Sequence, residues 1–329
     1  MPATVPGPRI AIVGGGIGGL AAGAFLHQAG FTATVYEQAH AFTEVGAGLV
    51  MAPNAVRLLR RLGVMDQFLR RAVPWDWGWE FRRCTDGNVL PVEELSGVCE
   101  RLYGERTYVV HRADLLDSLK AAVPSGWIGL GARCTAVDVR KNVVLLRFAD
   151  GSQVEADIVI GADGVHSVVR GAVTEPSPPT YSGICAFRDR ARPSRAWLRP
   201  APCPDPLAGA RTALRALSGR RWASRQRRRL RPGRELHRRI LECDRHHRGV
   251  PARCLGSHTN DPEQGLKRYE AARIERTTRL QEISHARREI NHLPDGPEQR
   301  ARDAALAESD PLVRNGWIYG FDAEEAPTS

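Results

Sequence analysis

A chain of 329 residues, 42% of them hydrophobic, can build one large domain or two ordinary ones, and is long enough for an enzyme. No stretch approaches the roughly 18 uninterrupted apolar residues of a membrane span, and no basic segment precedes the apolar run Ile10 to Val13, so a soluble, cytoplasmic protein is expected. The net charge of +10 does not point to nucleic acid: Arg188 to Gly256 holds 20 arginines, no lysine and five acids, a local +15 that leaves the rest of the chain at −5.

From the N-terminus, Arg9 to Val13 read as a short strand that runs into Gly14-Gly15-Gly16-Ile17-Gly18-Gly19, and Leu20 to Ala29 as a helix closed by Gly30. Phe31 to Tyr36 form a second strand ending in Glu37. Pro53 to Leu62 carry apolar residues at helical spacing with Gly63 as the stop, and Asp86-Gly87 has hairpin chemistry. Arg112 to Val123 predict an amphipathic helix. Strands follow at Cys134 to Val139, Val143 to Phe148 and, after an Asp150-Gly151 turn, Ile158 to Gly161. From Arg188 to about Arg253 no period of 2 or 3.6 is sustained and no strand is expected. Pattern returns at Cys254 with a long helix from Glu263 to about Ile290, whose apolar positions include Leu266, Tyr269 and Ile274, then a further helix and a last segment around Trp317 to Phe321. The seven cysteines are odd in number, scattered and free of C-x-x-C pairs, which fits a reducing compartment.

Gly14, Gly16 and Gly19 make a G-x-G-x-x-G between strand and helix, with Gly18 in the same run. In that context glycines let backbone N–H groups approach a pyrophosphate at the positive helix end, and Glu37 closes the pattern as an acceptor for ribose hydroxyls. On this reading a valine at Gly14 or Gly16 would fill the space the pyrophosphate needs. The pattern fits NAD as well as FAD, and a glycine-rich turn used only for packing is the plainer alternative.

A second motif, Asp157-Ile158-Val159-Ile160-Gly161-Ala162-Asp163-Gly164-Val165-His166-Ser167-Val168-Val169-Arg170, is more specific. It resembles the Asp-Gly motif of single-component flavin-dependent aromatic hydroxylases of the salicylate and hydroxybenzoate hydroxylase type, with Asp163 and Gly164 on its core and Arg170 on its closing arginine. Gly46-Ala47-Gly48 with Pro53-Asn54-Ala55 resembles that family's flavin loop, and Val110 to Leu115 its segment whose arginine, here Arg112, approaches the flavin. A surface helix N-terminus is the plainer reading of Arg112. Arg268 to Arg273, His292 to Gln299 and Trp317 to Ala323 resemble the tail of the same enzymes, so the likeness spans 9 to about 187 and about 253 to 323.

The resemblance implies an α/β fold: a Rossmann-like FAD-binding domain of the glutathione-reductase type, with an incomplete substrate-binding β-sheet domain. Residues 9–72, 100–182 and 254–329 then form a discontinuous FAD-binding domain, and 73–99 and 183–253 the substrate domain, with 188–253 aberrant. It further implies FAD as cofactor, NADH or NADPH as co-substrate, and O2 as the source of the oxygen given to a small aromatic substrate. It assigns Gly14, Gly16, Gly18, Gly19, Glu37, Ala47, Gly48, Arg112, Asp163 and Gly164 to the cofactor. It supplies no catalytic residue, no metal, no nucleic-acid or membrane partner and no oligomeric state.

The family also carries a Gly-Asp dipeptide leading into an apolar, proline-containing helix start over the flavin, and this sequence contains no Gly-Asp dipeptide. Arginine-dense, lysine-free, proline-rich sequence is what out-of-frame GC-rich DNA encodes, so Arg188 to Arg253 read as a frameshift with a deletion; a basic disordered insertion is the alternative. Three readings follow: an aromatic-ring monooxygenase, an inactive flavin-binding remnant, and a nicotinamide-dependent Rossmann protein that the Asp-Gly motif disfavours. Cys243, His246, His247 and Cys254 lack zinc spacing, and the run Arg225 to Arg239 lacks interleaved aromatics apart from Trp222. His27, His111, His166 and His285 receive no role.

Overall fold

The computed structural model describes residues 7–42, 48–75, 79–82, 89–93, 95, 97–175, 187–188, 214–215, 240–242, 254–255, 261–290, 293–294, 296–308, 310–323 and 325. In chain order these form β1 (Ile10–Val13), α1 (Ile17–Gln28), β2 (Ala33–Tyr36), β3 (Gly48–Met51), α2 (Pro53–Arg61), α3 (Met65–Leu69), β4 (Val73–Pro74), β5 (Trp79–Arg82), β6 (Val89–Glu93), α4 (Val98–Tyr103), β7 (Tyr108–His111) and α5 (Arg112–Lys120). Next come β8 (Ile128–Gly129), β9 (Cys134–Val139), β10 (Val144–Phe148), β11 (Gln153–Ala156), β12 (Ile158–Gly161) and α6 (Val168–Val173). Beyond them lie β13 (Phe187–Arg188), β14 (Leu214–Arg215), β15 (Ile240–Glu242), α7 (Pro262–Ile290), α8 (Pro297–Glu308), α9 (Pro311–Arg314) and α10 (Gly316–Tyr319).

A parallel sheet of order β15-β12-β1-β2-β8 is the frame. Strands buried on both faces read as unbroken apolar runs, and β1 and β12 are fully buried. Alternate side chains divide between two cores. Ile10, Ile12, Ile158 and Ile160 pack with Phe25 and Leu26 of α1 and with Leu266 and Tyr269 of α7. Ala11, Val13 and Val159 pack with Cys134, Val144, Leu146 and Phe148. The second layer is the antiparallel meander β11-β10-β9, so the parallel sheet lies between helices and a meander. The meander's hairpin closes where expected: Gly151 takes φ +85°, and the Asp150 carboxylate accepts from the Ser152 hydroxyl at 2.7 Å and its N–H at 2.9 Å. Those donors hold the Asp150 carboxyl below the usual carboxylate range.

Three local differences from the sequence reading have physical causes. Ile240–Glu242, within the stretch where no strand was expected, pairs in parallel with β12, with Val159 opposite Ile240 and Gly161 opposite Glu242. A buried strand edge offers a row of backbone donors and acceptors, and that template captures three residues whose own pattern is too short to read. Helix α4 was not anticipated, since six residues with one buried side chain, Cys99, show no period; its ends are marked instead by Gly97 and Gly104, both left-handed at φ 66° and 73°. Helix α7 spans the predicted range, but only its first turns join the core, and Ile274 is 52% exposed. The Asp86-Gly87 turn lies outside the described residues, although β5 and β6 on either side of it pair antiparallel.

Candidate functional site

The ends of β1, β2 and β12 meet on one edge of the parallel sheet. The Gly14 N–H donates to the Tyr36 carbonyl at 2.8 Å and the Ala162 N–H to the Val13 carbonyl at 2.7 Å, which brings the glycine run, Glu37 and the Asp163 loop together. Gly14 has φ +103°, a conformation that L side chains rarely adopt. A Cβ there would collide with the Ala162 carbonyl and stand 2.9 Å from the Asp163 N, so the expected shared role of Gly14 and Gly16 needs correcting. Gly14 is required by the protein's own backbone, whereas a Cβ on Gly16 would meet nothing within 4 Å. Gly19 is a packing glycine, since its Cβ would strike the Gly14 carbonyl and lie 3.3 Å from Ile12 Cγ2. Gly18 sits half-buried in the first turn of α1.

No side chain caps α1 and its first turn carries no acid, so the positive end of the helix faces the open space beside Gly16. Glu37 flanks that space: one carboxylate oxygen accepts from the Gly15 N–H at 2.6 Å, the other from the Ala39 N–H at 2.9 Å. Each oxygen keeps a second lone pair for an incoming hydroxyl. A backbone cradle that only glycine leaves open, a positive helix end and a carboxylate at the next strand end together fit the pyrophosphate and ribose of a dinucleotide.

The Asp163 loop is braced from within. Asp163 Oδ1 accepts from the Ser167 hydroxyl at 2.5 Å, and Oδ2 from the N–H groups of Val168 at 2.7 Å and Val169 at 3.2 Å. Ser167 Oγ in turn accepts from the Arg170 N–H at 2.9 Å and caps α6. Arg170 folds back to donate to the carbonyls of Gly164 at 3.0 Å and Val165 at 3.3 Å, while Gly164 takes φ +83°. The motif therefore presents Gly164 and Val165, both exposed, on a turn fixed by its polar ends rather than presenting the Asp163 carboxylate itself.

Gly48 pairs directly with His111 across β3 and β7, which sets the start of β3 beside Arg112. Arg112 is half-buried at the first position of α5, so it is not a freely solvated helix end. His111 does have a role that sequence reading missed: its Nδ1 accepts from the Ala113 N–H at 3.3 Å and caps α5. The available signal was position, a polar side chain just ahead of a helix start. Met51, Val110 and Leu115 share a core with Ile17 and Leu20 of α1, so this second cluster packs on the same helix as the glycine run. Ala47 lies outside the described residues, as do Cys243, His246 and His247, whereas Cys254 is buried in the sheet's core. A surface cleft of about 220 Å³ lined by Gln67, Arg70, Arg71, Asp114, Asp117 and Ser118 contains none of the expected site residues. No helix among the described residues is long and apolar enough to cross a membrane.

Comparison with known proteins agrees with this geometry. A family model described as an FAD binding domain matches residues 8–187. The chain is 34% identical over 384 aligned positions to a 3-amino-4-hydroxybenzoate 2-monooxygenase of Streptomyces platensis, covering 96% of each chain. It is 42% identical over 181 residues to a 6-hydroxynicotinate 3-monooxygenase of Pseudomonas fluorescens, across 55% of this chain and 47% of that protein. The structure of HpxO from Klebsiella pneumoniae with FAD and uric acid shares the fold over 98% of both chains, at a TM-score of 0.68 and 20% identity. With the dinucleotide cradle in place and similarity along nearly its whole length, the chain belongs to the single-component FAD-dependent aromatic hydroxylases.

Proposed function

We propose that this protein uses NAD(P)H and O2 to hydroxylate a small aromatic acid of the hydroxybenzoate class, with FAD held at the edge formed by β1, β2 and β12. The observation that carries this reading is the full-length similarity to a 3-amino-4-hydroxybenzoate 2-monooxygenase. When bound, FAD supplies the electron transfer and oxygen activation that no side chain can provide. The residues supply position. Gly16 and Gly18, with the start of α1, take the pyrophosphate, and Gly14 and Gly19 let that helix start approach the sheet. Glu37 accepts from the ribose. Gly164 approaches the cofactor on the turn that Asp163 and Arg170 hold, and Gly48 and Arg112 approach it from the β3–β7 side; Ala47 is proposed for the same loop from the sequence alone.

The proposal includes the discontinuous division inferred above, with 9–72, 100–182 and 254–329 as the flavin domain and 73–99 and 183–253 as the substrate domain, save that β15 within 183–253 joins the parallel sheet and β4 pairs with β7. A second reading, bound flavin without coupled hydroxylation, is favoured by two observations. The sequence has no Gly-Asp dipeptide, and an alignment of 384 positions with a 329-residue chain leaves at least 55 positions of the Streptomyces relative without a counterpart. The test is to purify the full chain, titrate it with FAD, and follow NADH and NADPH consumption with and without 3-amino-4-hydroxybenzoate or salicylate. Flavin binding and substrate-stimulated consumption are expected. A protein that takes up no FAD overturns the flavin site, and consumption that no aromatic acid stimulates overturns the substrate class.

A further inference from the structure

We propose that Asp322, near the C-terminus, is a positioning residue for the flavin cradle, acting through α2. Both terminal guanidinium nitrogens of Arg61, Nη1 and Nη2, reach the two carboxylate oxygens of Asp322, and Arg57 Nη1 stands 3.8 Å from the same group. The pairing is well shielded, since the side chain of Asp322 is 10% exposed and those of Arg57 and Arg61 20% and 29%. Arg57 is committed further, donating to the Phe321 carbonyl at 3.2 Å and to the Tyr103 carbonyl at 2.8 Å. The tail is held from its other side by Arg276, which donates to the Trp317 carbonyl at 2.8 Å and stacks 3.6 Å over the Phe321 ring. Ala323 ends the segment inside the core formed with Ile10 and Ile12.

Helix α2 carries this restraint to the cradle. Its Val56 and Leu59 pack in one core with Ile17 and Leu20, the residues that follow Gly16 at the start of α1, and with Met51 at the end of β3. A bidentate arginine–carboxylate pair fixes orientation as well as distance, so the tail sets the angle of α2 and α2 sets the seat of α1. The inference rests on the flavin reading above, and FAD binding by the unmodified full chain is the control that separates the two.

The experiment compares FAD titrations of the wild type, Asp322→Asn and Asp322→Glu by flavin fluorescence, with far-UV circular dichroism on each apoprotein. Asp322→Asn is expected to weaken FAD about tenfold with an unchanged spectrum, within the usual range of coupling between two sites, and Asp322→Glu to recover most of it. Because coupling is reciprocal, saturating FAD is also expected to slow amide hydrogen exchange across 316–323 in the wild type, a readout that needs no variant. Equal FAD affinity in a folded Asp322→Asn protein, or tail exchange indifferent to FAD, overturns the proposal. If Asp322→Asn does not fold, the exchange measurement on the wild type decides.

Discussion

Gly14 and Gly16 stand two positions apart and answer to different constraints, which makes their substitutions separable. Gly16→Val adds bulk toward open space, so the apoprotein is expected to fold with little change in Tm while losing FAD. Gly14→Ala forces a left-handed φ and a clash with the Ala162 carbonyl, and is expected to destabilise the apoprotein itself by about 1–3 kcal/mol or more. Thermal melts of the two apoproteins check this, and equal Tm values would sink the distinction. Glu37→Ala removes an acceptor from the Gly15 N–H as well as from the ribose, so FAD binding is expected to weaken by about 1–3 kcal/mol. A titration indistinguishable from wild type would remove Glu37 from the site. Cys134, at the start of β9 in the meander, is buried against the parallel sheet, and burial pushes its thiol up to about 11. Below the ordinary thiol range both folded and unfolded forms are protonated and the shift has no effect. As pH rises from about 9 toward 11 only the unfolded thiol ionises, so stability falls through that window. Cys134→Ala should flatten that part of a urea-denaturation profile against pH, and an unchanged slope would refute it.

At the scale of elements, legibility followed burial. Strands β9 and β12 lie where their apolar patterns put them, because a strand packed on one or both faces writes its environment into its own side chains. Helix α6 is different: six residues cannot advertise a period, and what fixes its start is the Asp163–Ser167 network. The sequence motif was therefore visible before its local purpose was, since a side chain that accepts from the N–H groups five and six residues onward is a three-dimensional fact. Ser167→Ala is expected to destabilise the protein by about 1 kcal/mol through loss of the cap, and Asp163→Ala by more, because it strands three donors. Chemical denaturation reads both, and a smaller loss for Asp163→Ala than for Ser167→Ala would show that the carboxylate does not brace the turn. Strand β15 marks the limit of sequence reading at this scale, because its strand character comes from the free edge of β12 rather than from Ile240, Leu241 and Glu242 themselves.

For the molecule as a whole, the two ends of the chain tell one story and the middle another. The core on one face of the parallel sheet joins residues of the first 162 positions to Cys254, Leu255, Leu266, Tyr269 and Ala323, and from the arginine-rich stretch the sheet takes β15 at its edge. In the division proposed above, that stretch belongs to the substrate side. A hydroxylase must hold the aromatic ring in a dry, shaped pocket while oxygen is transferred, and at least 55 positions of the Streptomyces relative have no counterpart in this chain. On the second reading above, the expected balance is NAD(P)H + H⁺ + O2 going to NAD(P)⁺ + H2O2, with little oxygen entering the ring. The measurement is to incubate the FAD-loaded protein with NADH or NADPH and a panel of hydroxybenzoates, aminohydroxybenzoates and hydroxypyridines, and to quantify peroxide and hydroxylated product against nucleotide consumed. Peroxide matching nearly all of the NAD(P)H consumed is the result expected on that second reading. Hydroxylated product in stoichiometric yield from any one compound would show instead that Arg188 to Arg253 build a working pocket, and that the unusual composition of this stretch is a functional variation rather than a loss.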